Sequence, residues 1–232
     1  MPHAPEPRFS TVAALLGDPT RARMLAALMG GRYLAAGELA AAAGVSAQTA
    51  STHITKLLDA GLVIVRAQGR HRYLRLADAQ IGHALEALSL VAERGADEGR
   101  WNHGAYKPLK AARSCYSHLA GELGVAWFDG LVARGTLVPA AGHFALSATG
   151  RAELTALGVD LTSASAAVGR RFACACLDWS ERRDHLAGSL ATALLAHALS
   201  HDWLRRVPAS RALTLTPTGA AALAPWLQRT PC

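Results

Sequence analysis

The chain has 232 residues, 51% apolar and 18% charged, so it can bury a core and is not expected to be disordered. No apolar run approaches the roughly 18–20 residues that span a bilayer, and MPHAPEPRF lacks the pattern of a secretory signal. We therefore expect a soluble cytoplasmic protein without a membrane partner. The net charge of +7 favours polyanionic partners, and five basic residues stand against one acid between Leu39 and Ala77.

The first predicted elements form a helix-turn-helix. Asp18 and Pro19 are typical of a helix start, because Asp caps the first turn and Pro lacks the N–H that would stay unbonded there. Met24, Leu25 and Leu28 then fall on one face. A short Ala-rich helix follows and ends at Gly44, and a second helix starts at Ser46. Two helices joined by a short Gly-containing turn predict a helix-turn-helix.

The second of these helices has two contrasting faces. Ala50, Ile54, Leu57 and Leu58 make an apolar stripe at helical spacing. The other face offers small hydrogen-bonding side chains and one cation, which suit base edges and phosphates in a major groove. An ordinary solvated face is the alternative. The candidate DNA-binding residues are Ser46, Gln48, Thr49, Ser51, Thr52, His53 and Lys56.

A basic hairpin is predicted directly after this helix. Residues 62–66 and 72–76 are rich in strand-forming residues and flank a turn at 67–70. We expect this hairpin to be the wing of a winged helix, which contacts the DNA backbone or minor groove. Its candidate DNA-binding residues are Arg66, Arg70, His71 and Arg72.

Three segments in this order, DPTRARMLAAL, ELAAAAGVSAQTASTHITKLLDAGLV and AQGRHRYLRLA, carry a family resemblance. Over about residues 9–94 the chain resembles the ArsR-type (arsenic-repressor-like) winged-helix regulators. The resemblance implies a homodimeric repressor of double-stranded operator DNA whose first and last helices form the dimer interface. In the last helix, an apolar seam would be provided by Ile81, Leu85, Leu88 and either Val91 or Ala92, unless that seam is buried within one chain.

The chain departs from this family at its metal sites. A familiar site of the family is a Cys-x-Cys motif before the recognition helix, where this chain has AAGELAAAAG without a thiol. A second familiar site uses acid and His residues of the last helix, but Asp78, His83 and Glu86 do not match its spacing. An effector site, if present, is therefore expected in the C-terminal half.

The C-terminal half contains an internal repeat. The tetrapeptide HLAG occurs at His118–Gly121 and again at His185–Gly188. The sequence predicts a DNA-binding and dimerisation domain at 1–94, a linker at 95–111, and a C-terminal regulatory domain at 112–232. That domain would hold two degenerate winged-helix-like modules, at about 115–155 and 182–224, each read as helix, helix, hairpin and the start of a helix. The predicted fold class is mainly α with small β-hairpins (α+β).

Thiols and imidazoles cluster around these repeats. Cys115 lies three residues before His118, a spacing that would share a helix face, and Cys174 and Cys176 share a face only if extended. Soft metal or metalloid ions suit this donor set, and a thiol redox switch, an organic-ligand pocket and purely structural roles remain alternatives. The candidate effector residues are Cys115, His118, Cys174, Cys176 and His185.

An ungapped alignment of the two copies places Arg182 opposite Cys115. Because a doubled metal site would be expected to keep its thiol, we interpret HLAG as a packing feature, in which each His donates to a nearby carbonyl. A sensor would then be assembled once, between the copies.

No nucleophile–base motif, phosphate-binding Gly loop or HExxH is present in the sequence, so an enzyme is not expected. No cofactor is certain, and a soft metal or metalloid ion is considered as a small effector. The hypothesis is a homodimeric repressor that an effector releases from DNA. The alternative is a non-sensing or organic-ligand-responsive DNA-binding protein.

Overall fold

The computed structural model describes residues 9–69, 71–94, 103–104, 106–167, 171–208 and 210–227. These residues divide into two compact units. Unit 1 contains the described residues up to Leu85 together with Pro208 and Ser210, and unit 2 contains those from Glu86 to Val207 and from Arg211 onwards. Within the described ranges, each helix is too short or too polar to cross a membrane.

Unit 1 is a winged helix-turn-helix, as predicted. Asp18 caps α2, accepting from the N–H groups of Thr20 and Arg21, and Pro19 is its first residue. Antiparallel pairing orders the strands β1-β3-β2. The hairpin strands are longer than predicted, since β2 extends to Gln68 and β3 begins at His71. The elements are α1 (Phe9–Leu16), α2 (Pro19–Leu28), β1 (Leu34–Ala35), α3 (Ala36–Ala43), α4 (Ala47–Asp59), β2 (Val63–Gln68), β3 (His71–Leu76) and α5 (Ala79–Ala92), whose last residues belong to unit 2.

Unit 2 is built from short hairpins and helices, in agreement with the predicted fold class. Its elements are α6 (Tyr106–Ala111), β4 (Arg113–Cys115), β5 (His118–Ala120), α7 (Glu122–Ala133), β6 (Leu137–Ala140), β7 (His143–Leu146), α8 (Ala148–Ala156), α9 (Leu161–Ala166), β8 (Cys174–Leu177), β9 (Asp184–Ala187), α10 (Ser189–Ser200), β10 (Leu204–Arg206), β11 (Leu213–Leu215) and α11 (Pro217–Leu227).

The element order hairpin, helix, hairpin, helix occurs twice in unit 2. The predicted order, with two helices first, is wrong at its beginning. Each HLAG motif starts in the second strand of a hairpin, and the helix begins only after its Gly. The predicted helix face shared by Cys115 and His118 does not exist, because the chain reverses between them and makes them strand partners. Whether the modules are winged-helix-like stays a prediction.

Both copies contribute to one hydrophobic core. It includes Trp127 and Leu131 from the first copy and Leu190, Leu194 and Trp226 from the second. At Gly130 of α7, an added Cβ would lie 1.6 Å from the carbonyl oxygen of Trp226 in α11, so the two helices pack with direct backbone contact. Neither copy could bury these side chains alone.

The Gly of each HLAG motif is required by its backbone. Gly121 and Gly188 have φ values of +81° and +99°. A Cβ at these positions would lie 2.4 Å from the carbonyl oxygen of Lys110 and 2.6 Å from that of Arg171. Only Gly combines this conformation with so close an approach.

Candidate nucleic-acid interface and metal centre

The candidate recognition helix is α4, which follows α3 after a left-handed turn at Gly44. The Ser46 hydroxyl caps it by accepting from the Thr49 N–H at 3.2 Å. Ala50, Ile54 and Leu57 are buried, so the apolar stripe is confirmed at those positions, and Leu58 is half-buried. The opposite face is open to solvent at Ser46, Gln48, Thr49, Ser51, Thr52 and Lys56.

His53 differs from the other candidate residues of α4. Its Nδ1 lies 3.6 Å from Asp18 Oδ1 and 3.5 Å from Arg21 Nη1. The ring is half-buried against the start of α2. In this placement His53 fastens α4 to α2 within unit 1.

The hairpin β2–β3 presents a basic surface. Arg66, His71 and Arg72 are exposed, and Ala67 pairs with Arg72 across the hairpin. Arg75 is half-buried, with its guanidinium 5.0 Å from the centre of the Tyr33 ring. The candidate Arg70 lies outside the described residues.

Four of the five candidate effector residues come together in unit 2. The ligand atoms of Cys115, His118, Cys176 and His185 all lie within 4.8 Å of one another. Cys115 is the strand partner of His118 in β4–β5, and Cys176 is the strand partner of His185 in β8–β9. The two hairpins therefore supply equivalent Cys–His pairs.

This register corrects the alignment of the two copies. Two residues separate Cys115 from His118, whereas eight separate Cys176 from His185. The ungapped alignment therefore paired Cys115 with Arg182, although the strand partner of the second His is Cys176. A longer turn in the second hairpin hides the equivalence from a gap-free comparison.

The cluster is well shielded from solvent. Cys115, His118 and His185 are each 1% exposed, and Cys176 is half-buried. The two imidazoles face each other, with their Nε2 atoms 3.1 Å apart. This contact replaces the predicted bonds from each His to a nearby carbonyl.

Cys174 does not join the cluster. It lies two residues before Cys176 in the extended strand β8, opposite Ala187, and is half-buried. Burial raises the pKa of its thiol, while the charge of Arg171 opposes that effect.

Asp178 holds the cluster from one side. Its Oδ2 lies 3.1 Å from His185 Nδ1 and accepts from the Gly121 N–H at 2.7 Å, so one carboxylate contacts both HLAG segments. Its Oδ1 accepts from Arg113 Nη2 at 2.8 Å and from the Ser180 hydroxyl and N–H. Arg113 and Asp178 are fully buried.

The surroundings shift the pKa values of the four side chains of the cluster in different directions. The hydrogen bond with Cys176 and burial raise the pKa of the Cys115 thiol well above its ordinary value. The same bond, with those from the two imidazoles, lowers the pKa of Cys176 against the effect of burial. Burial lowers the pKa of His118.

For His185, burial is outweighed by Asp178 and Cys176, which raise its pKa to about 9. These shifts favour a negative charge on Cys176 beside a positive charge on His185.

Sequence reasoning missed the importance of Arg113 and Ser180. Asp178 lies in the segment from Cys176 to His185, but its role depends on Arg113, 65 residues earlier in the chain. Two cation–acid contacts could not be inferred from periodicity: the Arg113–Asp178 pair and the bond from Arg211 to Glu86 in α5. Arg211 also carries the backbone carbonyl that accepts from the Ser114 N–H at 2.9 Å, next to Cys115.

A separate cleft of about 480 Å³ lies between α9 and α10. Its lining includes Asp160, Ser163, Thr192, Ala196 and His197. This cleft shares no lining residue with the Cys–His cluster.

Comparisons with known proteins found similarity to transcriptional regulators of bacteria. A family model described as a helix-turn-helix domain matches residues 16–66. The chain is 40% identical over 216 residues to an uncharacterized HTH-type transcriptional regulator, YdfF of Bacillus subtilis, covering 93% of the chain and 95% of that relative. It is also 40% identical over 89 residues to the HTH-type transcriptional regulator CmtR of Mycobacterium tuberculosis, covering 37% of the chain and 75% of that relative.

Among solved structures, the chain is similar to the cadmium metal-sensor CmtR of Mycobacterium tuberculosis. The TM-score is 0.31 at 36% identity, and the match covers 34% of this chain and 82% of that one.

Proposed function

Since the chain belongs to the HTH-type transcriptional regulators, as a DNA-binding member of the ArsR/CmtR type, we propose that it is a homodimeric repressor released from its operator by an effector. Unit 1 would bind the operator, and unit 2 would bind the effector.

The observation that carries this proposal is the exposed polar and basic surface of unit 1. Gln48, Ser51 and Thr52 offer donors and acceptors for base edges, and Lys56 offers a cation for phosphate. On the wing, Arg66 and Arg72 are exposed, and the described residues of that hairpin include no acid. Along the chain, the exposed face of α4 precedes the basic hairpin β2–β3, as the recognition helix precedes the wing in a winged helix.

Exposed apolar side chains support the homodimer. Phe9 in α1 is 74% exposed, and Leu88 and Val91 in α5 are 44% and 54% exposed. Large apolar side chains left open on helices favour a partner surface. These helices are the ones that the family resemblance assigns to the dimer interface.

The contacts around Glu86 support regulation from unit 2. Glu86 of α5 is buried and accepts from Arg211. Arg211 is also backbone-bonded to Ser114, the residue before Cys115. An effector that changes the geometry of β4 would therefore act on Arg211 and on a residue of α5. It would shift DNA affinity only by its differential affinity for the two states.

The donor chemistry of the Cys–His cluster supports a soft metal ion or a thiol oxidant as the effector. An organic effector in the cleft between α9 and α10 is the second candidate. Its test is Ala196→Phe, which would narrow the cleft and abolish a response to an organic effector while leaving basal DNA binding unchanged.

The test of DNA recognition uses the reduced full-length chain. A preferred sequence is first selected from random DNA, and binding is then measured by fluorescence anisotropy at several salt concentrations. We expect Lys56→Ala and Arg72→Ala each to weaken binding and to reduce the salt slope by about 1, because each removes one phosphate contact.

Arg151→Ala is the matched control, since Arg151 is an exposed cation of α8 in unit 2. If Lys56→Ala and Arg72→Ala bind like the parent at two salt concentrations, the groove assignment is wrong. Footprinting without a preferred sequence would instead indicate a non-sensing DNA-coating protein.

A further inference from the structure

We propose that Cys115, His118, Cys176 and His185 bind one zinc(II)-class ion tetrahedrally, as a closed site that joins the two HLAG hairpins. The site itself stands on the geometry of unit 2. Its regulatory consequence, that this ion is the effector, rests on the proposed function.

The distances within the cluster fit such an ion. Zinc lies about 2.0–2.1 Å from an imidazole nitrogen and about 2.3 Å from a thiolate sulfur, so a tetrahedron requires ligand atoms roughly 3.3–3.8 Å apart. The two Nε2 atoms are 3.1 Å apart, and all four ligand atoms lie within 4.8 Å of one another. Changes of no more than about 1 Å in the separations of the ligand atoms would complete the coordination.

The surroundings of His185 are those of a metal ligand. A metal-binding His usually donates its other ring N–H to a carboxylate, which fixes its tautomer and orientation. Asp178 stands in this place, with its Oδ2 3.1 Å from His185 Nδ1, and this contact leaves Nε2 directed at His118. Arg113 and Ser180 hold Asp178 in turn, so the carboxylate cannot turn away freely.

The donor set selects the class of ion. Two thiolates with two imidazoles in a tetrahedron favour zinc(II) and its soft analogues, and disfavour Mg²⁺ and Ca²⁺, which take oxygen ligands. A trivalent metalloid that requires three thiolates is not accommodated, because Cys174 lies outside the cluster. Four protein ligands also leave no open position, as in structural rather than catalytic zinc sites.

The ion would connect parts of the chain that are distant in sequence. Each hairpin supplies one Cys and one His, and 67 residues separate the two His. Occupancy therefore stabilises unit 2 against separation of its two copies, and it fixes β4 beside the residues bonded to Arg211.

The first experiment is a cobalt(II) titration of the reduced, chelator-treated full-length chain. We expect one equivalent to produce intense tetrahedral ligand-field bands with thiolate-to-cobalt charge transfer, and zinc(II) to remove both by displacement. The melting temperature should rise with zinc(II) concentration, because the ion binds the folded state. A weak spectrum like that of cobalt in buffer would overturn the site.

Variants identify the ligands. Cys176→Ser should lose the charge-transfer band and stoichiometric binding. Cys174→Ser, the matched control on the same strand, should retain both. Asp178→Asn should retain the tetrahedral spectrum but bind the ion about 10–100-fold more weakly, because it perturbs His185 without removing a ligand.

Retention of the full spectrum in Cys176→Ser, or its equal loss in Cys174→Ser, would overturn the assignment. If Cys176→Ser does not fold, the spectrum of the parent chain still decides whether the site exists.

A separate measurement distinguishes this inference from the proposed function. Operator binding of the parent and of Cys176→Ser is compared with and without zinc(II). A tetrahedral spectrum with ion-independent DNA binding would support the site and overturn only the effector role. Ion-dependent DNA binding that persists in Cys176→Ser would overturn the site as the effector site while leaving the repressor intact.

Discussion

The two HLAG hairpins of unit 2 have equivalent Cys–His pairs but unequal surroundings. In both, a Cys is the strand partner of the motif's His, and a Gly with positive φ lies three residues after that His. They differ in their turns. The first closes with two residues between Cys and His, whereas the second has eight, among them Asp178 and Ser180. Both hairpins carry the Cys–His pair, and in the longer turn Asp178 Oδ2 lies 3.1 Å from His185 Nδ1.

The largest expected effect tests the difference between the two hairpins, namely the contacts that Asp178 makes from the longer turn. Arg113→Ala should destabilise unit 2 by about 3–5 kcal/mol, because it leaves the Asp178 carboxylate buried without its cation. It also removes the guanidinium that lies 3.9 Å from the Trp179 ring centre. Urea unfolding followed by Trp fluorescence measures the change in the free energy of unfolding.

The control for Arg113→Ala is Arg183→Ala, which breaks an exposed ion pair with Asp129. Exposed pairs contribute at most about 1 kcal/mol, so this variant should unfold almost like the parent. Equal effects of the two substitutions would mean that Asp178 does not depend on Arg113.

The next largest effect tests a feature that the two hairpins share, the Gly with positive φ. Gly121→Ala and Gly188→Ala should each destabilise the protein by at least about 1–3 kcal/mol, because both force a side chain into a left-handed backbone conformation. Each new methyl would also meet a backbone carbonyl. Parallel thermal melts measure both variants. A large effect in one copy only would show that the HLAG segments are no longer equivalent.

A smaller effect tests the contribution of one residue of the longer turn, Ser180. The Ser180 hydroxyl donates to Asp178 at 2.8 Å and accepts from Arg113 at 3.0 Å. Ser180→Ala removes both bonds but keeps the Ser180 N–H bond to Asp178, so we expect a loss of about 0.5–1.5 kcal/mol. Chemical denaturation gives this value. Zinc affinity should fall less than in Asp178→Asn, and a larger fall would show that the hydroxyl orients the carboxylate.

Unit 1 could be predicted closely because its signals are local. Asp18, Gly44 and Ser46 lie at helix ends, and the burial of Ala50, Ile54 and Leu57 follows from helical spacing. Those features depend on residues within about two helical turns of each other, so a sequence pattern contains them.

Unit 2 was predicted less well because its organisation is non-local. The five candidate effector residues were predicted from the chemistry of thiols and imidazoles, and the structure brings four of them together. Their arrangement was not foreseen, since Cys115 and His118 lie on facing strands rather than on a helix. The role of Asp178 depends on Arg113 and Gly121, which precede it by 65 and 57 residues. No short window of sequence contains such a contact.

The smallest expected effect is also the sharpest control for the comparison. Cys174 and Cys176 lie on the same strand two residues apart, and both are half-buried. Only Cys176 has a counterpart in the first hairpin, Cys115. Cys174→Ser should therefore change the free energy of unfolding by no more than about 0.5 kcal/mol and leave metal binding and operator release unchanged. Alkylation should follow the same division: zinc(II) should protect Cys176 from iodoacetamide and leave Cys174 reactive, as read by peptide mass spectrometry. Protection of both thiols would indicate that Cys174 also contacts the metal ion. The two hairpins would then no longer supply equivalent sets of ligands.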